Sequence, residues 1–150
     1  GACLRGSGVN YDVRKAFPYS SYEQFDFSVP LGSAGDVYDR YRCRMEEFGQ
    51  SLKIIQQAMD KLPAGPVMTD DRKVALPRKH EIAYSMEASG KGDSGVFLSG
   101  NGTPNPRRVH FRAPSFHNLQ PLTELTKGAL LADIVAIIGS VDIVLGDVDR

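Results

Sequence analysis

One stretch sets the terms for any fold of this chain. Residues 35–62, GDVYDRYRCRMEEFGQSLKIIQQAMDKL, form its longest uninterrupted periodic segment, with Gly49 the one helix-weakening residue inside it. Val37, Tyr41, Met45, Phe48, Leu52, Ile55, Met59 and Leu62 recur at steps of three and four. At about 100° per residue these side chains fall in an arc roughly 100° wide, the pattern of a helix with one buried face. Asp36 stands where an N-cap carboxylate satisfies the first N–H groups and meets the positive end of the helix dipole. Pro63 and Gly65 end the helix.

The polar residues beside this stripe add a second constraint. Arg40, Arg44, Glu47 and Ser51 project along its edge rather than on the opposite face. Two arrangements accommodate them. Long arginine stems can cover apolar surface while their heads reach water. Alternatively, a charged seam is buried against another element or another chain, and each charge then needs a partner.

The rest of the chain reads as short elements and connectors. Residues 1–22 form a loop with a turn of helix before Pro18, and are expected to pack on something upstream. Residues 24–29 alternate, with Phe25, Phe27 and Val29 on one face of a short strand. Residues 63–79 are irregular. Residues 81–87 suit a strand and 90–95 a loop. Residues 96–98 and 107–112 suit a hairpin closed by Gly100-Asn101-Gly102. Pro114 opens a single-turn helical piece, 121–127 a short helix, and Gly128 divides that helix from another over 129–138. That last helix, ALLADIVAII, is apolar nearly all round, with Asp133 its only charge, as expected of deep core or interface. The fold class is therefore α+β: one mostly helical domain over residues 1–150, with a long central helix and a small antiparallel sheet.

Composition narrows the function. Lys+Arg and Asp+Glu both number 18, and the zero net charge argues against nucleic acid as a partner. No apolar run approaches the ~20 residues that span a bilayer. Cys3 and Cys43 fit neither a disulfide framework nor a metal-binding spacing, which implies a reducing compartment. The chain opens Gly-Ala-Cys with no initiator Met and no signal segment, as expected of a processed chain or a piece of a longer one. His80, His110 and His117 have surface or structural settings rather than a ligand spacing. There is no nucleophile–base pair, phosphate loop or H-E-x-x-H, and the Gly90–Gly95 stretch lacks the context of a dinucleotide loop. Residue chemistry alone assigns no catalytic residue and no metal ligand.

Several blocks carry a specific resemblance: LRGSGVNYDVRKAFPYSSYEQFDFSVP, GDVYDRYRCRMEEFGQSLKIIQQ, GVFLSGNG, VHFRAPSF and LADIVAIIGSVDIVLGDVDR. In order, and over nearly the whole chain, they resemble the C-terminal part of the hydrogenase-like 49-kDa (D-type) subunit of respiratory complex I, the proton-pumping NADH:quinone oxidoreductase. The resemblance implies a fold like the large subunit of nickel–iron hydrogenases. Those enzymes end in Cys-x-x-Cys-x-x-His. Here Val144 and Asp147 stand at the cysteine positions and Arg150 at the histidine, so the resemblance implies no nickel–iron centre. It implies instead that the vacated cavity receives a quinone headgroup, near an iron–sulfur cluster held by a neighbouring subunit. By the same resemblance Asp142 and Val144 wall that cavity, an assignment extended to Leu145. No cofactor is expected on this chain itself.

The departures from the family carry their own expectations. The family's long N-terminal half, with a histidine and a tyrosine serving the quinone oxygens, is not in this chain, so a separate chain or a longer parent is expected to supply it. Relatives have an additional helix between the positions of His80 and Met86. Their P-Y-R reads Pro106-Arg107-Arg108 here. Arg40, Arg44, Glu47 and Arg150 are expected to be structural or interface residues, the first three in buried ion pairs with the missing half or the cluster-bearing subunit. Membrane association would be through the complex alone, on the matrix side of a mitochondrial inner membrane or the cytoplasmic side of a bacterial one. The alternatives are a non-catalytic assembly or scaffold protein of the same ancestry, or a membrane-bound hydrogenase-type large subunit.

Overall fold

A computed structural model describes residues 1–68, 70 and 78–149. Its centre is helix α3, Val37–Lys61. The start is built as a reciprocal cap. Asp36 accepts from the backbone N–H of Asp39 at 2.8 Å. The Asp39 carboxylate reaches back to the N–H groups of Ser33, Ala34 and Gly35 at 2.8, 2.6 and 3.2 Å. Orphan donors ahead of the first turn are thereby satisfied from both directions.

Two short α-helices, α1 (Ala2–Gly6) and α2 (Val13–Ala16), and a 3-10 turn at Tyr22–Gln24 precede α3. The turn of helix expected before Pro18 is α2, capped by Asp12. Residues 1–22 do not hang free of the rest of the chain, because α1 lies on α3. The Arg5 carbonyl accepts from Gly32 N–H at 2.9 Å. A Cβ at Gly32 would fall onto the Gly6 carbonyl, so this crossing needs a glycine.

Residues 25–29 are extended but form no strand. Their partners are side chains of α3. Gln57 accepts from Asp26 N–H and donates to the Asp26 carbonyl, both at 2.8 Å, and Gln50 accepts from Ser28 N–H at 2.9 Å. With those groups satisfied by amides, the alternation does not produce a sheet.

The sheet is β1 (Ile82–Ser89), β2 (Gly92–Ser99) and β3 (Arg108–Arg112), antiparallel in that order. The loop expected over 90–95 is instead a tight turn at Gly90-Lys91 followed by the start of β2, with Ser89 opposite Gly92. Three glycines suggested a loop, but Gly92 supplies the positive φ beyond the turn and Gly95 pairs within the ladder opposite Met86 and Arg112. The β2–β3 hairpin falls where the sequence puts it. The irregular stretch expected over 63–79 lies partly outside the described residues.

After β3 come α4 (Pro114–Leu119), α5 (Leu122–Leu125), α6 (Asp133–Val141) and α7 (Leu145–Val148). Helix α6 starts four residues later than its apolar run, because Asp133 accepts from Leu130 N–H at 3.0 Å and fixes the preceding turn. Its Ile137, Ser140 and Val141 face inward, whereas Val135 is 77% exposed. An α+β arrangement with one small antiparallel sheet is what the residues form.

The main correction concerns which side of α3 is covered. Asp39, Arg40 and Cys43 are its buried residues. The apolar stripe lies open among the described residues: Phe48 is 64% exposed, Leu52 68% and Met59 72%. The reason is chemical. α1 and α6 bring an arginine and a serine, and the approach to α3 a backbone carbonyl, and these match the charged edge rather than the stripe. Arg5 Nε donates to Glu47 at 2.6 Å. Arg40, 2% exposed, donates to Ser140 Oγ at 2.8 Å and to the Gly35 carbonyl at 2.7 Å.

Two tests follow from this packing. Glu47→Gln should lower stability by about 1.5–3 kcal/mol, because Arg5 then lacks its anion in a mostly buried setting. Lys127→Gln, which breaks the exposed Lys127–Glu124 pair, should cost no more than about 0.5 kcal/mol. Denaturant midpoints read both. The N–H groups of Ser33 and Ala34 hold the Asp39 carboxyl below its ordinary value of 3.8. The ionised form therefore stabilises the fold fully above that value, and the stability is lost as pH falls below it. Asp39→Asn should flatten the acid limb of an unfolding titration relative to the parent protein.

Candidate functional site

The C-terminal segment is held by a few directed bonds. α6 ends at Asp142, which takes the left-handed conformation (φ 60°, ψ 52°) and donates its N–H to Ile138 at 3.2 Å. Aspartate tolerates that backbone better than most residues. The chain turns sharply there and enters α7. Ser115 at the start of α4, fully buried, fixes the turn from the other side. Its N–H donates to Asp147 at 2.9 Å and its hydroxyl accepts from Val144 N–H at 3.4 Å.

These contacts create a cleft of about 570 Å³ between three parts of the chain. Helix α3 contributes Arg44, Glu47, Phe48 and Ser51. The β1–β2 turn contributes Ser89 to Lys91, with Ser94 beyond it. The C-terminal segment contributes Asp142, Val144 and Asp147. The volume lies in the range of small-molecule sites, and the wall mixes apolar surface with a few charges, as such sites do. Lys91 Nζ lies 2.9 Å from an Asp142 carboxylate oxygen. Arg44 Nη1 donates to the Arg40 carbonyl at 3.4 Å, and its buried Nε has no hydrogen-bond partner among the described residues. A smaller cavity of about 190 Å³ adjoins, sharing Glu47, Ser51, Ser89 and Gly90 and adding Asp12 and Arg14. Burial pushes the Asp12 carboxyl up, but hydrogen bonds and charge from Arg14 outweigh this and leave it below its ordinary value.

The expected site residues thus divide. Asp142, Val144, Arg44 and Glu47 share one cleft although they lie about a hundred positions apart in sequence. Leu145 does not line it and is 75% exposed at the start of α7. Arg40 lies behind the cleft wall, between α3 and α6. Within this chain Arg40 meets Ser140 of α6 and the Gly35 carbonyl, and Glu47 meets Arg5 of α1. Arg150 lies outside the described residues. His80, His110 and His117 are all exposed or partly so. Sequence reading missed Lys91, Ser115 and the wall position of Asp147. For Lys91 the one available signal was a lysine between two glycines, which fits a hairpin turn as well as a loop. Among the described residues no cluster of His, Cys, Asp or Glu is arranged to hold a metal ion. No helix among them is long and apolar enough to cross a membrane.

Comparison with known proteins gives this arrangement a class. Relatives are components of NADH-quinone oxidoreductases. A D-type subunit of the NADH-quinone oxidoreductase of Herpetosiphon aurantiacus is 48% identical over 177 aligned residues, covering all of this chain and 42% of the relative. The D-type subunit from Syntrophobacter fumaroxidans is 50% identical over 151, covering all of this chain and 40% of that one. The mitochondrial NADH-ubiquinone oxidoreductase 49 kDa subunit of Neurospora crassa is 44% identical over 174, covering all of this chain and 36% of that one. The model of the respiratory-chain NADH dehydrogenase 49-kDa subunit matches residues 1–90 and 88–150. The chain belongs to that family and corresponds to a C-terminal part of it. It spans about 40% of the length of these curated relatives.

Proposed function

We propose that this chain is a component of respiratory complex I and that its cleft forms part of the cavity that receives the quinone headgroup. The observation that carries the reading is the meeting of Asp142 and Val144, the resemblance-implied cavity residues, with Arg44, Glu47 and Lys91 around one volume of suitable size. Val144, 44% exposed, offers apolar wall to a ring. Asp142 offers a carboxylate anchor for a hydrogen-bond network reaching the quinone oxygens.

In this reading the chain performs no redox chemistry of its own. Electrons arrive from an iron–sulfur cluster in a neighbouring subunit, and the substrate is a quinone. Valine at 144 and a lone carboxylate at 147 suit a site that binds quinone in place of a metal centre, in a fold related to the hydrogenase large subunit. The partners are the other subunits of a proton-translocating complex, including whichever chain segment supplies the N-terminal half. The location is the matrix side of a mitochondrial inner membrane or its bacterial counterpart. Arg44, which makes no ion pair among the described residues, is the edge residue whose guanidinium has capacity for a carboxylate outside this segment.

Two outcomes test the reading in the assembled complex. Val144→Phe should shift the half-inhibitory concentration of quinone-site inhibitors by about tenfold or more while the amount of complex on a native gel stays near normal. An unchanged inhibitor response removes the cavity assignment. Arg44→Ala should reduce the amount of assembled complex; a normal amount argues against a buried external partner for this arginine.

A further inference from the structure

The Lys91–Asp142 ion pair on the cleft wall has a geometry that goes beyond wall-lining. Asp142 sits at the junction of two cavities. One is the 570 Å³ cleft. The other, about 380 Å³, runs between α3 and α6 and is lined by Val37, Tyr41, Arg44, Ala136, Ser140 and Asp142 among others. The Asp142 side chain is 42% exposed, and its left-handed backbone belongs to the helix terminus, so close packing does not fix its rotamer. Its carboxylate can serve either cavity. Lys91 lines only the first.

Lys91 is well placed to decide between them. Its backbone is anchored on both sides of the β1–β2 turn. Its N–H donates to Ser89 Oγ at 3.4 Å, and its carbonyl accepts from Asn118 Nδ2 at 2.9 Å. Ser89 Oγ in turn donates to the Gly92 carbonyl at 2.7 Å. The lysine stem therefore starts from a braced point, and its ammonium is 2.9 Å from Asp142. A surface ion pair between two free side chains gains little, because ordering both offsets the attraction. Here one partner's origin is fixed in advance, and the pair's effect is orientation more than stability.

We infer that Lys91 is a positioning residue that holds the Asp142 carboxylate toward the larger cleft and so sets the affinity of this site for the polar head of a quinone. The inference rests on the quinone-cavity reading above. Lys91 itself needs no contact with the ligand; it acts through Asp142.

The test uses membranes carrying the assembled complex, with NADH as donor and a short-chain water-soluble quinone as acceptor. Rates are expressed per amount of complex. Lys91→Met should raise the KM for quinone about three- to tenfold with kcat changed less than about twofold. Lys91→Arg should return KM to within about twofold of the parent. Asp142→Asn, which tolerates the same backbone, should raise KM at least as far as Lys91→Met, and the double variant should be no worse than Asp142→Asn alone, as for two residues acting through one contact. An unchanged KM in Lys91→Met, with a raised KM in Asp142→Asn, overturns the positioning role and leaves the cavity standing. Additive effects overturn it too, as does a Lys91→Met variant that only lowers the amount of complex. An unchanged KM in Asp142→Asn overturns the cavity reading itself.

Discussion

The guanidinium of Arg40 is the joint of this structure. It is almost wholly buried, yet it has directed partners on two sides: the Gly35 carbonyl at the approach to α3 and the Ser140 hydroxyl near the end of α6. Its stem lies against Gly6 of α1. A charge so placed is tolerable only while its donors are engaged, so the interaction works as a constraint on geometry more than as a source of net stability. It requires α1, α3 and α6 to meet at one level of the long helix. Once they do, the end of α6 and hence Asp142 are carried to the cleft beside Arg44 and Glu47.

Around that joint the described residues bury little apolar volume. Ala2, Val13, Phe27, Cys43, Ala113, Ile137 and Val141 form the core, and much of the apolar surface of α3 and α6 stays open. Polar contacts therefore fix orientation to an unusual degree. Arg14 brackets Asp12 and lies over Phe27, with its guanidinium carbon 4.9 Å from the ring centre. The Tyr19 hydroxyl takes the N–H of Ala88 at 2.7 Å and ties the α2 segment to the sheet.

Much of this was legible in the sequence, and the failures share a cause. Periodicity found α3 nearly to its ends, and Asp36 announced its cap. It could not say which face is covered, because a stripe records affinity for apolar surface and not whether that surface lies in the same 150 residues. The alternation at 25–29 was real but did not show that glutamines of α3 would occupy its backbone. Glycines at 90, 92 and 95 pointed to a loop, since composition does not distinguish a flexible segment from a tight turn with a ladder beyond it. At the site, Asp142 and Val144 came from resemblance rather than from physics. Their meeting with Arg44 and Glu47 depends on long-range packing that no local pattern encodes. Lys91 and Ser115 were invisible for the same reason.

The glutamine contacts along α3 have a consequence for how the chain tolerates changes in length. Gln50 and Gln57 are seven residues apart, two turns and about 10.5 Å of helix, and they grip residues 28 and 26 in antiparallel order, with Lys61 reaching the carbonyl of Gln24 at 2.6 Å. The extended segment is thus measured against the helix as a ruler, tooth by tooth. An insertion within α3 between these teeth rotates the next amide by about 100° and takes it out of reach. An insertion between residues 26 and 28 moves one N–H off its mark, whereas lengthening at the open β2–β3 hairpin disturbs no such register. Changes in chain length should therefore spare the span from Gln24 to Lys61, and the additional helix expected of relatives between the positions of His80 and Met86 falls outside it.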